Sequence, residues 1–324
     1  MNRCHSCLKE TTQSFCTSCS KKLFGKANVS HELLFTRPEF NEIRLANSDK
    51  LSISGVQVKY SLNFKEKQLI LTEQGGKYII KPIPYGSFQK IEYIPANEHL
   101  TMQIANQIFN INTPPNALML FKNKEPAYIV KRFDILDNGK KVLQEDFAQV
   151  ANKTGENAGV NYKYDFSYEG IAQLMEKNIA AYPVEVEKFY SLVLFNFLTG
   201  NGDAHLKNFS VSRNEKFGDY TLTPAYDLVN TNLHIPNEAE TALDLFEDGY
   251  ITEAYKSGSK YTREDFYVFG KRIGIKESRT KFILDKFCGK EDAIKNLVAN
   301  SFLSDELKSS YIEILTRRRE RLKY

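Results

Sequence analysis

Hydrophobic positions divide the chain into a strand-rich first part and a helical second part. Between residues 51 and 133, apolar residues recur in short alternating runs, which predict β-strands. The predicted strands are residues 51–62 (two strands and a turn), 67–73, 77–82, 117–121 and 127–133. One helical pattern interrupts them at residues 96–109, where apolar side chains share one face. This part of the chain is therefore predicted to form a β-rich lobe.

After residue 134 the pattern changes to that of buried and amphipathic helices. The predicted helices are residues 144–150, 167–178, 183–198, 262–273, at least one within 284–302, and 304–324. Thr262 and Asp265 have the spacing of a capping box. Residues 154–163 are rich in Gly and Asn and predict a loop. The fold class is therefore α+β and bilobal, with the β-rich lobe followed by an all-helical lobe.

The last predicted helix carries a run of basic residues near its end. They are Arg317, Arg318, Arg319, Arg321 and Lys323. Positive charge suits the C-terminal end of a helix dipole, so we expect a solvated helix end. A surface for nucleic acid or an acidic partner is the alternative. The net charge of +4, from 44 basic and 40 acidic residues, is too balanced to favour nucleic acid by itself.

Composition places the chain among globular proteins. Its 324 residues, 42% of them hydrophobic, are enough for a sizeable core in one bilobal unit or two domains. No apolar run reaches the length that crosses a bilayer. The first residues lack the apolar stretch of a secretory signal. A soluble, cytoplasmic protein without membrane contact is expected.

Four of the five cysteines form two pairs near the N-terminus. Cys4 and Cys7 make one CxxC pair, and Cys16 and Cys19 make the other. Two such turns offer four thiolates, a set typical of structural zinc with no open position for catalysis. A redox pair or unmetallated thiols are the alternatives. We predict a small zinc-ribbon-like module, residues 1–27, that needs its metal to fold.

The segment at residues 200–209 carries the candidate catalytic chemistry. It lies between the apolar helix and a short predicted strand, residues 209–212. Asp203 and Asn208 stand five positions apart, the spacing at which protein kinases place a proton acceptor and a magnesium ligand. Asp227 follows the predicted strand 220–223 and offers a second carboxylate for the metal. The alternative is ordinary turn chemistry, since Asp and Asn are frequent in loops.

Two further positions match the phosphate-binding half of a kinase. Lys81 ends the predicted strand 77–82, where kinases place the lysine that contacts the α- and β-phosphates. A lysine on a strand surface is the commoner explanation of one such match. Glu98, in the first turn of the predicted helix, is either a partner of Lys81 or a favourable charge for the helix dipole. Residues Lys131, Phe133 and Asp134 would lie at the lobe junction, where kinase backbone groups bind adenine.

These motifs, taken in order, resemble the HipA family of bacterial toxin serine/threonine kinases. The resemblance runs from about residue 51 to the C-terminus through residues 52–59, 78–81, 130–134, 144–147, 201–209 and 226–227. It implies a kinase-like fold, magnesium-ATP as phosphate donor and a Ser or Thr of another protein as acceptor. It further implies an aminoacyl-tRNA synthetase as target, a helix-turn-helix DNA-binding antitoxin as partner and DNA contact only through that antitoxin.

The resemblance assigns roles to individual residues. Asp203 is the catalytic base, and His205 and Lys207 stabilise the transferring phosphoryl group. Asn208 and Asp227 hold magnesium. The candidates for ATP binding are Ser54, Gly55, Lys59, Lys81, Lys131, Phe133 and Asp134. The candidates for autophosphorylation are Ser52 and Ser54. The alternative is that Ser52 and Ser54 are ordinary turn residues with no role in phosphorylation.

The chain departs from full-length HipA proteins before its predicted phosphate loop. About fifty residues precede that loop, which resembles the short HipT form and implies a separate HipS-like protein as a second partner. The four-Cys module belongs to neither form. The expected domains are residues 1–27, the kinase N-lobe 28–134 and the C-lobe 135–324. A kinase for a small molecule, or a zinc-containing binding protein with an inactive kinase lobe, are the alternatives.

Overall fold

The computed structural model describes residues 2–26, 28–39, 42, 59–65, 68–72, 75–136, 138–214 and 218–323. The predicted phosphate loop, with Ser52, Ser54 and Gly55, lies outside the described residues. The chain begins with a small unit of two paired strands and a helix. Its elements are β1 (Asn2–Arg3), β2 (Glu10–Thr11) and α1 (Thr17–Phe24).

A five-stranded antiparallel sheet forms the centre of the first part, with strand order β4-β3-β5-β7-β6. Its strands are β3 (Tyr60–Lys65), β4 (Gln68–Leu71), β5 (Tyr78–Pro82), β6 (Asn116–Leu120) and β7 (Pro126–Lys131). The strands predicted at 67–73, 77–82, 117–121 and 127–133 therefore exist with small shifts of their ends. Pro82 closes β5, because proline cannot donate to a ladder.

Both faces of the sheet are covered. Along β7, Tyr128 and Val130 enter the main hydrophobic core, whereas Ala127 and Ile129 enter a second cluster. This alternation follows from the two-residue period of a strand. The second cluster includes Phe15 of the N-terminal unit, together with Leu23 and Phe24. The N-terminal unit thus obtains a hydrophobic core by packing against the sheet.

Helix α2 (Ile94–Gln107) covers the other face and is buried over residues 95–105. A proline in its first turn suits the helix start. Its buried polar side chains are paired: Asn97 donates to the carbonyl oxygen of Asn230 at 2.8 Å, and Thr101 lies 2.8 Å from the hydroxyl of Tyr311. Because buried polar groups need partners, these contacts fix α2 against the second part of the chain.

The second part is mainly helical. Its helices are α3 (Phe147–Val150), α4 (Gly155–Ala158), α5 (Tyr168–Asn178), α6 (Tyr182–Thr199), α7 (Glu253–Gly258), α8 (Arg263–Arg272), α9 (Glu277–Cys288), α10 (Glu291–Ala299) and α11 (Asp305–Lys323). The capping box of Thr262 and Asp265 is present at the start of α8. No helix among the described residues is both long and apolar enough to span a membrane.

Three short antiparallel strands also lie in this part, in the order β10-β9-β8. They are β8 (Gln144–Asp146), β9 (Ser210–Arg213) and β10 (Tyr220–Leu222). The helical prediction for residues 144–150 was wrong for its first three residues, since Gln144 pairs with Ser212 and Asp146 with Ser210. Asp146 then caps α3 by accepting from the backbone N–H of Gln149.

The basic end of α11 is not uniformly solvated, contrary to the prediction. Arg318 is 2% exposed and donates to the carbonyl oxygens of Phe197 and Glu240. Arg319 is also buried and pairs with Glu291 of α10 at 2.7 Å. These guanidinium groups anchor the last helix, because a buried charge is tolerated only when it is paired.

Candidate active site

Lys81 lies at the centre of a buried ion network. Its side chain and that of Glu98 are each 3% exposed, and Lys81 Nζ lies 2.5 Å from Glu98 Oε1. Lys81 Nζ also contacts Oδ1 of Asp227. The other oxygen of Asp227 accepts a hydrogen bond from Lys59 Nζ at 2.9 Å. The structure therefore brings together four candidate residues from β5, α2 and two further segments, and it pairs Lys81 with Glu98, one of the two interpretations of Glu98 from the sequence.

The charges in this network stabilise each other. Burial acts to raise the pKa of Asp227, but Lys59 and Lys81 outweigh burial and hold that pKa well below its usual range. Burial acts to lower the pKa of Lys81, but Asp227 and Glu98 outweigh it and raise the pKa. For Glu98 burial prevails over Lys81, and the pKa is raised. Asp227 and Lys81 are consequently both charged at neutral pH.

The catalytic loop begins where α6 ends. Gly200 has a φ of 73°, a left-handed conformation that suits glycine after a helix. The backbone N–H of Gly202 then donates to Thr231 Oγ1 at 2.7 Å. A Cβ atom at Gly202 would lie 2.7 Å from the backbone carbonyl oxygen of Ala239, so a larger residue requires the backbone to move. This tight turn leaves the side chain of the next residue, Asp203, 52% exposed.

Asp203 is held by a tyrosine. The hydroxyl of Tyr164 donates to Asp203 Oδ1 at 2.5 Å. His205 Nε2 lies 3.9 Å from the same oxygen, which is too far for a hydrogen bond. The rings of Tyr164 and His205 meet edge to face with centroids 5.2 Å apart. Asp203 therefore has one oxygen engaged by Tyr164 and a side chain still open to solvent.

His205 is buried, and its charge state follows from that. Burial lowers the pKa of His205 to about 4, despite the attraction of Asp203, so the ring is neutral at pH 7. Its Nδ1 atom is buried and has no hydrogen-bond partner among the described residues. A neutral ring cannot act as a positive clamp on a phosphoryl group, which leaves Lys207 as the remaining basic side chain of the loop.

The two candidate magnesium ligands come from neighbouring segments. Asn208 Oδ1 accepts from the backbone N–H of His205 at 3.2 Å. The Tyr226 hydroxyl donates to the carbonyl oxygen of Lys207 at 3.0 Å. Tyr226 and Lys207 immediately precede Asp227 and Asn208, so this bond ties the two ligand segments together. Carboxylate and amide oxygens are donors that magnesium accepts, and the donor set fits that ion.

The predicted adenine-binding segment follows β7. The backbone N–H of Lys131, the last residue of β7, already donates to the carbonyl oxygen of Pro115 at 2.8 Å. The ring of Phe133 stacks on that of Tyr226, with centroids 5.9 Å apart. Asp134 forms a two-point ion pair with Arg132, at 2.9 and 2.5 Å. The segment thus lies beside the loop that carries Asp227, while the carboxylate of Asp134 is occupied by Arg132.

The four N-terminal thiols form one compact cluster. The sulfur atoms of Cys4, Cys7, Cys16 and Cys19 all lie within 4.8 Å of one another. The first turn is completed by Leu8, with a φ of 64°, and the backbone N–H of Cys16 points to Cys4 Sγ at 3.2 Å. Hydrogen bonds from Cys19 and Cys7 hold the pKa of Cys4 far below its usual range. The cluster has the donor set and size of a tetrahedral thiolate site.

Sequence reasoning missed several residues of the site. Tyr164 follows the predicted loop 154–163, Thr231 begins a short 3-10 helix beyond Asp227, and Glu238 lies in the irregular chain after that helix. The one available signal was the group of aromatic residues Tyr162, Tyr164 and Phe166 beside a polar loop. Contacts at such sequence separations have no periodicity that would reveal them.

Comparison with known proteins identifies the family. The model of the HipA-like C-terminal domain matches residues 51–294, about three quarters of the chain. The chain belongs to the HipA-like C-terminal domain family. The matched region of this HipA-like chain includes Lys81, Asp203 and Asp227 but not the four clustered cysteines.

Curated relatives of the HipA-like chain carry kinase names. A Haemophilus influenzae protein described as "Putative kinase" is 28% identical and covers 94% of this chain and 92% of its own length. The serine/threonine-protein kinase toxin HipA of Shewanella oneidensis is 26% identical over 61% of this chain and 47% of its own length. Both relatives are thus described as kinases, although the match covers most of the first protein and less than half of the second.

Solved structures show the same fold. HipA of Shewanella oneidensis, in a complex with HipB and operator DNA, superposes with a TM-score of 0.66 at 20% identity, covering 89% of this chain and 71% of the other. The Helicobacter pylori proinflammatory kinase CtkA gives a TM-score of 0.53 at 16% identity, covering 84% and 92%. The expected kinase-like fold of the HipA-like chain is confirmed.

Proposed function

We propose that this protein is an ATP-dependent serine/threonine protein kinase of the HipA toxin type. One observation carries the proposal. Buried Lys81 bridges Glu98 and Asp227, and the segment of Asp227 is tied by Tyr226 to the loop that holds Asp203 and Asn208. Phosphoryl transfer needs positioning and charge neutralisation, which this arrangement supplies. The kinase names of relatives add support.

Each residue of the site has a proposed role in phosphoryl transfer that follows from its chemistry. Lys59 and Lys81 now contact Asp227, and phosphate oxygens of ATP would compete for the same two ammonium groups. Magnesium, held by Asn208 and Asp227, would neutralise charge on the phosphates. Asp203, half exposed at the tip of its loop, accepts the proton of the attacking hydroxyl. Lys207 supplies positive charge beside the transferring group.

The acceptor and the partners extend the proposal by family resemblance. The target is an aminoacyl-tRNA synthetase, and a helix-turn-helix antitoxin neutralises the kinase. The Shewanella neighbour, which contains HipA, HipB and operator DNA, supports a DNA-binding partner. Self-phosphorylation at Ser52 or Ser54 would switch the kinase off, and this part rests on the resemblance alone because both serines lie outside the described residues.

We also propose structural zinc at the four clustered cysteines. Four thiolates within 4.8 Å complete a tetrahedral shell and leave no position for a substrate. The metal would therefore stabilise the N-terminal unit without taking part in phosphoryl transfer. Native mass spectrometry tests this point directly, with one zinc per chain expected for the wild type and none for Cys4→Ser.

The kinase proposal is tested with labelled ATP and a bacterial lysate. Wild type is expected to label protein bands, and Asp203→Asn is expected to label none while keeping its thermal midpoint. Asp285→Asn is a matched control, since this carboxylate of α9 is 68% exposed. Label found in small molecules instead of protein, or equal labelling by Asp203→Asn, contradicts the proposal.

A further inference from the structure

Tyr164 forms a hydrogen bond with the proposed catalytic base, Asp203, and has no role in the proposed function so far. Its hydroxyl donates to Oδ1 of Asp203 at 2.5 Å. Tyr164 itself is 38% exposed, and its ring edge lies against the buried ring of His205. The ammonium of Lys163 lies 4.8 Å from the centre of the Tyr164 ring, a cation–π contact. Tyr164 is thus fixed on several sides while its hydroxyl meets the proposed base.

The segment that carries Tyr164 forms two further hydrogen bonds with the catalytic loop. The backbone N–H of Leu206 donates to the carbonyl oxygen of Lys163 at 3.1 Å. The buried hydroxyl of Tyr168 donates to the carbonyl oxygen of Ala204 at 2.9 Å. These bonds lie on both sides of Tyr164 and attach its backbone to the residues that follow Asp203. The Tyr164–Asp203 bond is therefore part of a built contact and not an isolated surface pair.

We propose that Tyr164 is a positioning residue for the base of the phosphotransfer reaction. The proposal rests on the proposed function. Tyr164 holds Oδ1 of Asp203, which leaves Oδ2 directed to the acceptor. An exposed carboxylate with neither oxygen held would rotate, and misplacement of a reacting group by about 1 Å can cost on the order of a hundredfold in rate.

The step that Tyr164 supports is the transfer of the γ-phosphoryl group from ATP to the acceptor hydroxyl. The acceptor O–H bond breaks, and its proton passes to Oδ2 of Asp203. The acceptor oxygen bonds to the γ-phosphorus of ATP, and the bond from that phosphorus to the β,γ-bridging oxygen breaks. ADP leaves with the electron pair of that bond. Tyr164 keeps its own proton throughout and acts only through its hydrogen bond.

Tyr164→Phe tests the inference, because it removes the hydroxyl and keeps the ring contacts with His205 and Lys163. We expect kcat to fall about 10- to 100-fold with KM for ATP unchanged, since ATP is held by other residues. Tyr162→Phe is the matched control in the same segment and is expected to retain wild-type kcat.

Each alternative result has a definite meaning. An active wild type with an equally active Tyr164→Phe variant overturns the inference and leaves the kinase proposal standing. A rise in kcat/KM for the acceptor overturns it as well, because Tyr164 would then compete with the acceptor for Asp203. Phosphate mapped to Tyr164 would make the tyrosine an acceptor instead. A wild type without turnover refutes the proposed function and this inference with it.

Discussion

His99 Nε2 lies 2.8 Å from the carbonyl oxygen of Ser6, in the turn between Cys4 and Cys7. His99 follows Glu98, the partner of Lys81, on the same turn of α2. The Ser6 hydroxyl donates in turn to a carbonyl oxygen of β6 at 2.7 Å. The cysteine turn is therefore hydrogen-bonded to the helix that places Glu98. The four-cysteine cluster is thereby linked through Ser6 and His99 to the helix that carries Glu98.

Removal of the proposed zinc is expected to loosen α2. The turn that accepts from His99 would depend on the proposed metal for its shape, because so short a unit has little core of its own. Chelation should speed amide hydrogen exchange in residues 94–107 and lower the thermal midpoint. Cys16→Ser should do the same, whereas Cys288→Ser, outside the cluster, should not. Unchanged exchange in α2 after verified metal loss would contradict this coupling.

Lys81→Met is expected to destabilise the protein by about 3–5 kcal/mol, since it leaves buried carboxylates without their counter-charge. Lys59→Met should cost clearly less, because Lys59 is 21% exposed and Asp227 keeps Lys81. Urea unfolding at pH 7 measures both. Equal losses for the two variants would show that burial does not decide the contribution of each lysine.

Asp227 has a φ of 55°, a left-handed conformation that Asn tolerates better than Ala. Asp227→Asn and Asp227→Ala should both lose phosphotransfer, because neither offers a charged metal ligand. Asp227→Ala should in addition be less stable than Asp227→Asn by about 1 kcal/mol. Parallel unfolding curves and a turnover assay test the two statements separately. Similar stability of the variants would mean that the backbone relaxes at this position.

Glu238 should make stability depend on pH near neutrality. Burial raises its pKa from 4.5 to about 7. Between these values the folded state binds more protons than the unfolded state, so the contribution of Glu238 to stability falls as pH rises from 5 to 7. Glu238→Gln removes that contribution. The free energy of unfolding of the variant, minus that of the wild type, should therefore be higher at pH 8 than at pH 5 by about 1–3 kcal/mol.

The Glu238 measurement is a difference between two proteins, because buried histidines act in the opposite direction. Burial lowers the pKa of His99 and of His205 to about 4, so each loses stability as pH falls below 6.5. Unfolding of wild type and Glu238→Gln at several pH values separates the two effects. A constant difference from pH 5 to 8 would show that Glu238 titrates normally.

Local patterns in the sequence were sufficient for the elements and for the spacing of the site. Alternating apolar residues predict β5 and β7, and the D-x-x-x-x-N spacing places Asp203 and Asn208 in one loop. Two CxxC pairs predict the thiolate cluster. Each of these signals lies within a few residues of chain, where backbone geometry alone brings the groups to one side.

Tertiary packing decided which groups meet. Tyr164 reaches Asp203 across 39 residues, and Lys81 reaches Asp227 across 146. The same holds for Arg318, whose charge predicted a solvated surface although packing against Phe197 buries it. The sequence determines which residues favour burial or a turn. The partner of a buried charge is decided by how whole elements pack, because packing excludes water and a charge without water needs a partner.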